Sequence, residues 1–291
     1  MDHAKVALMS TDAQRQTLPT AVTTGRTLGA RDLLNKVPEV TLYFWAIKVL
    51  ATTVGETAAD FLGVNLNLGL TNTTVIMGAL LVVALLFQLR TRRYVPGIYW
   101  LTVVLISIVG TLITDNLVDN LGVALQTTTV VFAIALAATF AAWFASEKTL
   151  SIHFITTTRR EGFYWAAILF TFALGTAAGD LVAEGLDIGY WRSALMFAGL
   201  IAAIAVAHYR FGLGAVLAFW MAYILTRPLG ASLGDFLSQP RPDGGLGLGT
   251  VGTSALFLTT ILTLVVYLSV TRKDATPEPW SDERTVAAAV R

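Results

Sequence analysis

Hydrophobic and polar positions along this chain alternate on the scale of whole helices. Eight apolar segments lie near 40-62, 72-90, 95-117, 124-146, 162-183, 192-209, 213-237 and 250-271. Each has about 18 to 25 residues, which is enough for a helix that crosses roughly 30 Å of hydrocarbon. The pattern predicts an all-α integral membrane bundle of eight transmembrane helices at 39-271. A disordered cytoplasmic arm at 1-38 and a cytoplasmic tail at 272-291 are expected to flank it.

One pattern recurs four times in the apolar segments. In each copy Trp is followed ten residues later by Gly and fifteen residues later by Asp. The copies are Trp45/Gly55/Asp60, Trp100/Gly110/Asp115, Trp165/Gly175/Asp180 and Trp220/Gly230/Asp235. Each copy opens a two-helix repeat, at about 39-94, 95-158, 159-212 and 213-271. Because two helices restore the direction of the chain, the four repeats are expected to be parallel around an axis along the membrane normal.

The basic residues predict how the helices cross the membrane. Of the 20 Lys and Arg residues, 16 fall in the two tails or in loops on one side. The positive-inside rule places that side, with both termini, in the cytoplasm. We therefore expect a multi-pass membrane protein with both termini on the cytoplasmic side. The four Trp residues lie near the predicted cytoplasmic helix ends, where aromatic side chains commonly anchor a protein at the membrane interface.

Composition supports this class and excludes others. Hydrophobic residues make up 55% of the chain and charged residues 13%, against about 25% charged residues in soluble domains. The net charge of +1 gives no support for nucleic-acid binding, and the absence of Cys excludes disulfides and thiolate metal sites. No nucleophile and base set is recognisable, so no enzyme activity is predicted, although a carboxylate-only hydrolase is left open.

The acidic residues inside the helices are the candidate functional groups. Ionisable side chains are costly in a membrane, and those found there commonly mark ion or proton pathways. The candidate cation- and proton-binding residues, which are also the candidate metal ligands, are Glu56, Asp60, Asp115, Asp180 and Asp235. Carboxylate oxygens suit hard ions such as Mg²⁺, Ca²⁺, Mn²⁺, Na⁺ or H⁺. Two other interpretations stay open: solvated helix ends, and structural ion pairs with Lys48 or Arg227.

Other polar residues share the helix faces of these acids. Lys48, Thr52, Glu56 and Asp60 follow one another at intervals of four and form one stripe of a helix. The predicted supporting residues are Lys48, Thr52, Thr53, Thr111, Asn116, Thr176 and Arg227. Pro228 follows Arg227 and is expected to kink or break the seventh helix.

The strings KVLATTVGETAADFL and LTRPLGASLGDFL, together with the fourfold repeat, resemble an uncharacterised bacterial family of multi-pass membrane proteins. That family is built from four copies of a two-helix "repeat of unknown function". The resemblance covers about 38-272, implies the eight-helix repeat architecture and names no substrate. It also implies that the protein lies in a bacterial inner (cytoplasmic) membrane. The first repeat matches the family motif most fully, through Lys48, Thr52, Thr53, Gly55, Glu56 and Asp60, whereas the second and third lack the Lys and the Glu.

The leading hypothesis is a membrane cation transporter or permease for a divalent metal such as Mn²⁺, with proton coupling. One alternative is a pseudo-fourfold cation channel with a ring of carboxylates. Another is a non-transport scaffold or sensor. The expected partners are the lipid bilayer and a small inorganic ion, without nucleic acid. A homo-oligomer is left open, and a bound divalent cation is the only cofactor considered.

Overall fold

The computed structural model describes residues 35-65 and 68-275, which are helical and contain no β-strand. The eight α-helices are α1 (Leu42–Asp60), α2 (Leu70–Arg90), α3 (Pro96–Asp115), α4 (Leu125–Glu147), α5 (Thr158–Asp180), α6 (Tyr190–Phe211), α7 (Ala215–Ser238) and α8 (Gly249–Thr271). The predicted arm as far as residue 34 and the tail from 276 lie outside the described residues.

Local sequence accounts for several helix boundaries. The Thr41 side chain caps α1 by accepting a hydrogen bond from the Phe44 amide. The Thr157 side chain caps α5 in the same way, from the Arg160 amide. Pro96 opens α3, where a missing backbone N–H has no consequence for the helix.

Seven helices of the described chain, α2 to α8, are long and apolar enough to cross a membrane, which indicates a membrane protein. The exception is α1, which carries Lys48, Glu56 and three threonines within its 19 residues. Of the eight predicted membrane-spanning segments, seven are therefore helices with the length and composition that crossing a membrane requires.

The odd-numbered helices form a closed inner ring, because α1 contacts α3, α3 contacts α5, α5 contacts α7 and α7 contacts α1. In the most apolar part of α3, α5 and α7, 72%, 56% and 50% of the segment is buried inside the protein. In the even-numbered helices this share is at most 28%. The even-numbered helices line the outside, and each packs mainly on the odd helix of the following repeat: α2 on α3, α4 on α5, α6 on α7 and α8 on α1. The sequence repeat is thus not the packing unit.

Glycines allow the inner helices to approach closely at equivalent places. Each motif glycine faces a side chain of the next repeat that would collide with an added Cβ atom. The pairs are Gly55 with Ser107, Gly110 with Phe172, Gly175 with Arg227, and Gly230 with Thr52. A Cβ on Gly230, for example, would lie 1.8 Å from Thr52 Oγ1. Small residues commonly allow membrane helices to pack closely in this way. Here an equivalent glycine contact occurs at each of the four interfaces between neighbouring inner helices.

The chain before α1 is packed rather than extended from the bundle. Asn35, Lys36 and Val37 are buried, although they fall in the predicted arm. Lys36 Nζ lies 2.7 Å from Glu161 Oε2, at the start of α5. The packed part of the chain therefore includes residues on the N-terminal side of the predicted boundary at 38.

A second polar contact ties the chain after α8 to the same end of the bundle. The Tyr94 hydroxyl donates to Asp274 Oδ2 at 2.5 Å. Burial raises the pKa of Asp274 above its usual value, and the hydrogen bond from Tyr94 offsets part of this shift.

Candidate functional site

Arg227 occupies the centre of the inner ring. Its side chain is fully buried. Nη1 donates to the Thr52 carbonyl oxygen at 3.1 Å, and Nη2 donates to Glu56 Oε2 at 2.7 Å and to Thr176 Oγ1 at 2.7 Å. Nη2 also donates to Thr111 Oγ1. One guanidinium group thus binds groups from the other three repeats at once.

The repeat explains this arrangement. Glu56, Thr111, Thr176 and Ala231 occupy equivalent positions in the four copies, four residues before each motif aspartate. The first three point polar groups at the guanidinium, whereas Ala231 has no polar side chain. Arg227 itself comes from the helix that carries this alanine, so the fourth repeat supplies the cation and the other three supply its acceptors.

Pro228 does not break α7. The helix runs without interruption from Ala215 to Ser238, with Pro228 in its interior. The expected discontinuity is therefore wrong, and no exposed carbonyls of a broken helix contribute to the site. Pro228 instead packs near Gly175 and Gly179 of α5, which have no side chains to obstruct the ring.

The structure brings three of the five candidate acids together. Single carboxylate oxygens of Glu56, Asp180 and Asp235 all lie within 4.8 Å of one another. Asp60 and Asp115 are not part of this group and are, like Asp180, partly exposed. Two of the four motif aspartates therefore lie together, and Glu56 is the acid of the first repeat that joins them.

Of the candidate acids, Glu56 is the one with a basic partner among the described residues. Its ion pair with Arg227 is buried, with exposed side-chain fractions of 8% and 0%. The carboxylates of Asp60, Asp115, Asp180 and Asp235 make no ion pair within residues 35-65 and 68-275. Structural pairing with Lys48 or Arg227 therefore does not account for the motif aspartates.

Lys48 lies apart from the acids, in an aromatic environment. Its Nζ atom is 4.2 Å from the centroid of the Phe172 ring and 4.3 Å from that of the Tyr223 ring. The side chain is fully buried, and Nζ has no hydrogen-bond partner among the described residues. Of the two basic residues considered as partners of the acids, Arg227 is the one that pairs with an acid among the described residues.

The remaining predicted supporting residues divide into two groups. Thr52, Thr111 and Thr176 contact Arg227 as described above. Thr53 donates its hydroxyl hydrogen to Val49 O in its own helix, and the Asn116 side chain donates to Thr74 Oγ1 of α2 at 2.7 Å. Within the described residues, neither the Thr53 nor the Asn116 side chain hydrogen-bonds to the three acids.

A π-helical turn directly follows the aspartate in three repeats. These turns are Phe61–Asn65, Asn116–Asn120 and Leu181–Gly185. Such turns are rare and frequently occur at functional sites. The fourth repeat differs, since α7 stays α-helical to Ser238. Hydrophobic periodicity does not distinguish one π-helical turn from the α-helix before it, so the sequence analysis missed them.

Three of the four motif tryptophans lie inside the protein, at the end of the inner ring that is away from the acids. Trp100, Trp165 and Trp220 are buried, with exposed fractions of 2%, 4% and 4%. Their rings pack among other aromatic side chains, as in the contact of Trp100 with Tyr99 at 5.1 Å between centroids. The expected role as membrane-interface anchors is therefore wrong for these three, which form part of the core.

The sequence analysis also missed a buried polar network between Glu161, Lys36 and Gln88. Glu161 Oε2 accepts from Lys36 Nζ at 2.7 Å, and Oε1 accepts from Gln88 Nε2 at 3.1 Å. Glu161 follows two arginines in the sequence and resembles an exposed loop residue, so no pattern around it indicates burial.

A family model described as "Repeat of Unknown Function (DUF347)" matches the chain four times, at residues 43–94, 98–149, 163–213 and 218–274. Each match contains one Trp, Gly and Asp set. No curated protein and no solved structure matches the chain.

Proposed function

Because the chain belongs to the family of the DUF347 repeat, whose description states no activity, we propose its function from the inner helices: it is a membrane cation permease. The family match confirms the resemblance in the sequence. In this proposal all eight helices cross the membrane, as four parallel repeats around the Arg227 axis. Glu56, Asp180 and Asp235 hold the cation, and Asp60 and Asp115 attract it toward them.

The observation that supports the proposal is the close approach of three carboxylates, of which one pairs with a guanidinium. Two like charges 4.8 Å apart repel by about 3 kcal/mol at an effective dielectric constant of 20. Arg227 pairs with Glu56 alone, so Asp180 and Asp235 are left to a cation or to protons. Carboxylate oxygens, with the Thr111 and Thr176 hydroxyls nearby, favour a hard divalent ion such as Mn²⁺.

The fourfold ring also fits a channel, but the position of Arg227 favours a carrier. A buried guanidinium that binds groups from the other three repeats lies where an axial pore would run. The aromatic side chains around Trp100 and Trp220 fill the other end of the ring. A cation that reaches the acids therefore stays there until the helices rearrange. Protons bound by Asp180 or Asp235 couple the transport of the cation to that of protons.

The orientation follows from the basic residues. With both termini in the cytoplasm of a bacterial inner membrane, the acids lie toward the outside and the tryptophans toward the cytoplasm. The site then accepts a cation from the outside in the conformation described here.

Flux measurements on the purified chain in liposomes test the proposal. Mn²⁺, Mg²⁺, Ca²⁺ and Na⁺ are offered in turn, with an ion-sensitive dye and a pH-sensitive dye inside. Asp180→Asn and Asp235→Asn should each lower the flux of the transported ion at least about tenfold, because one lost ligand charge weakens binding by more than 1.4 kcal/mol. Asp187→Asn is the matched control, since Asp187 is exposed beyond the end of α5.

Three outcomes would count against the proposal. Wild-type flux in both aspartate variants would remove the acids from the pathway. A single-channel conductance in planar bilayers would replace the carrier by a channel. No movement of any cation or proton in either direction would favour the scaffold or sensor alternative.

A further inference from the structure

Several buried hydrogen-bond donors near the ring axis have no acceptor, on the side of Arg227 away from the acids. Within the described residues, the unpartnered atoms of this region are Lys48 Nζ, Ser107 Oγ, Tyr223 Oη and Arg227 Nε. Each can donate a hydrogen bond, and two of them, on Lys48 and Arg227, can only donate. Buried polar groups are normally satisfied, so such a set indicates an absent partner that accepts.

Ring contacts place Lys48, Tyr223 and Arg227 close together, and the repeat places Ser107 at the level of Arg227. Lys48 and Tyr223 occupy equivalent repeat positions, as do Ser107 and Arg227 one helical turn further along. Lys48 Nζ lies 4.3 Å from the Tyr223 ring centroid. The Phe172 ring contacts both cations, since its centroid is 4.2 Å from Lys48 Nζ and 5.7 Å from Arg227 Cζ.

The charges in this region balance only if Lys48 is neutral or an anion is bound. Among the described residues, Glu56 is the one acid that contacts Lys48 or Arg227, and both basic side chains are fully buried. Removing an ion from water costs several kcal/mol, and each of the two aromatic rings offsets about 0.5 to 2 kcal/mol of that cost. The rings alone therefore do not keep Lys48 protonated, and an acceptor that does so has to carry negative charge.

We propose that Lys48, Arg227, Ser107 and Tyr223 form a binding site for one small monovalent inorganic anion of the halide class. The ammonium and the Arg227 Nε–H supply charge-assisted hydrogen bonds, and the two hydroxyls complete the shell. Close packing by the Phe172 ring disfavours a larger polyatomic anion. Arg227 then binds Glu56 through Nη2 and the anion through Nε, so it lies between the two sites. The proposal of an anion site does not require that the protein transports a cation, and it goes beyond that function.

Equilibrium binding of radiolabelled chloride tests the site on the full chain in detergent, with gluconate replacing chloride at constant ionic strength. The wild type should bind about one chloride per chain in a saturable way. Lys48→Met should weaken binding at least about tenfold, because it removes a charge-assisted hydrogen bond and keeps the length of the side chain. Lys148→Met is the control, since Lys148 is exposed at the end of α4.

A second variant keeps the test decisive if Lys48→Met does not fold. Tyr223→Phe retains the ring beside Lys48 and deletes only the hydroxyl, and it should weaken chloride binding by about tenfold. Bromide in crystals should give an anomalous peak between Lys48 and Arg227.

Absence of saturable binding to the wild type would overturn the proposal and leave water as the acceptor. Binding that both Lys48→Met and Tyr223→Phe leave unchanged would also overturn it, because the anion would lie elsewhere. The assay contains no cation gradient. Chloride binding without cation flux would therefore count only against the permease, and flux without chloride binding only against this site.

Discussion

Replacing Arg227 by methionine tests whether the axial guanidinium holds the inner ring together. Methionine keeps the unbranched apolar stem that packs against Gly175 and removes the charge and every donor. Glu56 then loses its partner at 2.7 Å and stays largely buried, with 8% of its side chain exposed.

The magnitude follows from this burial. Removing one partner of a buried ion pair destabilises a protein by about 3 to 5 kcal/mol, because the other charge is left without compensation. Adding Glu56→Gln removes that charge, so the double variant should recover at least about 2 kcal/mol relative to Arg227→Met. The coupling between the two sites measures the pair itself.

Unfolding in mixed micelles with increasing SDS, followed by tryptophan fluorescence, gives the free energies. Arg159→Met is the control, because Arg159 is 70% exposed and lies 3.7 Å from Glu147. Exposed pairs contribute at most about 1 kcal/mol. If Arg227→Met costs no more than the control, or if Glu56→Gln recovers nothing in its background, the guanidinium does not stabilise the ring.

Two further predictions concern the packing and the ends of the bundle. Gly230→Ala should destabilise the protein by about 1 to 3 kcal/mol, because the added methyl group overlaps Thr52. Gly78 has open space around it, so the control Gly78→Ala should be neutral or stabilising. Equal effects of the two substitutions in the same unfolding assay would refute the close contact at Gly230. Because the pKa of Asp274 is raised in the folded state, its ionisation favours unfolding, and stability should fall as the pH rises from its unfolded pKa to its folded one. Asp274→Asn should flatten that part of the stability profile, and an unchanged slope would mean that Asp274 is not desolvated beside Tyr94.

Much of the fold was predictable because it depends on short-range pattern. Length and hydrophobicity indicated eight helices, and the helices observed lie within a few residues of the predicted segments. The Trp, Gly and Asp spacing divided the chain into the same four repeats that the family model matches. The absence of α1 from the helices apolar enough to cross a membrane is also visible in its Lys48 and Glu56.

The candidate site was predictable in its members and only partly in its arrangement. The interval of four residues placed Lys48, Thr52, Glu56 and Asp60 on one helix face, which local helix geometry determines. Whether Lys48 or Arg227 neutralises Glu56 depends on which faces of α1 and α7 meet. Arg227 and Glu56, which do pair, are 171 positions apart in the sequence. Periodicity within one helix therefore does not indicate that these two residues meet.

The sequence by itself determined that this protein is a helical membrane protein with four repeats and with acids inside its helices, because hydrophobicity and spacing act within single helices. Only the tertiary structure decided that Arg227 binds the other three repeats at once, that Lys48 Nζ has no hydrogen-bond acceptor among the described residues, and that three motif tryptophans are buried. Each of these depends on the ring closure that brings α7 against α1. The glycines permit this approach, and the packing of the even helices on their neighbours surrounds it.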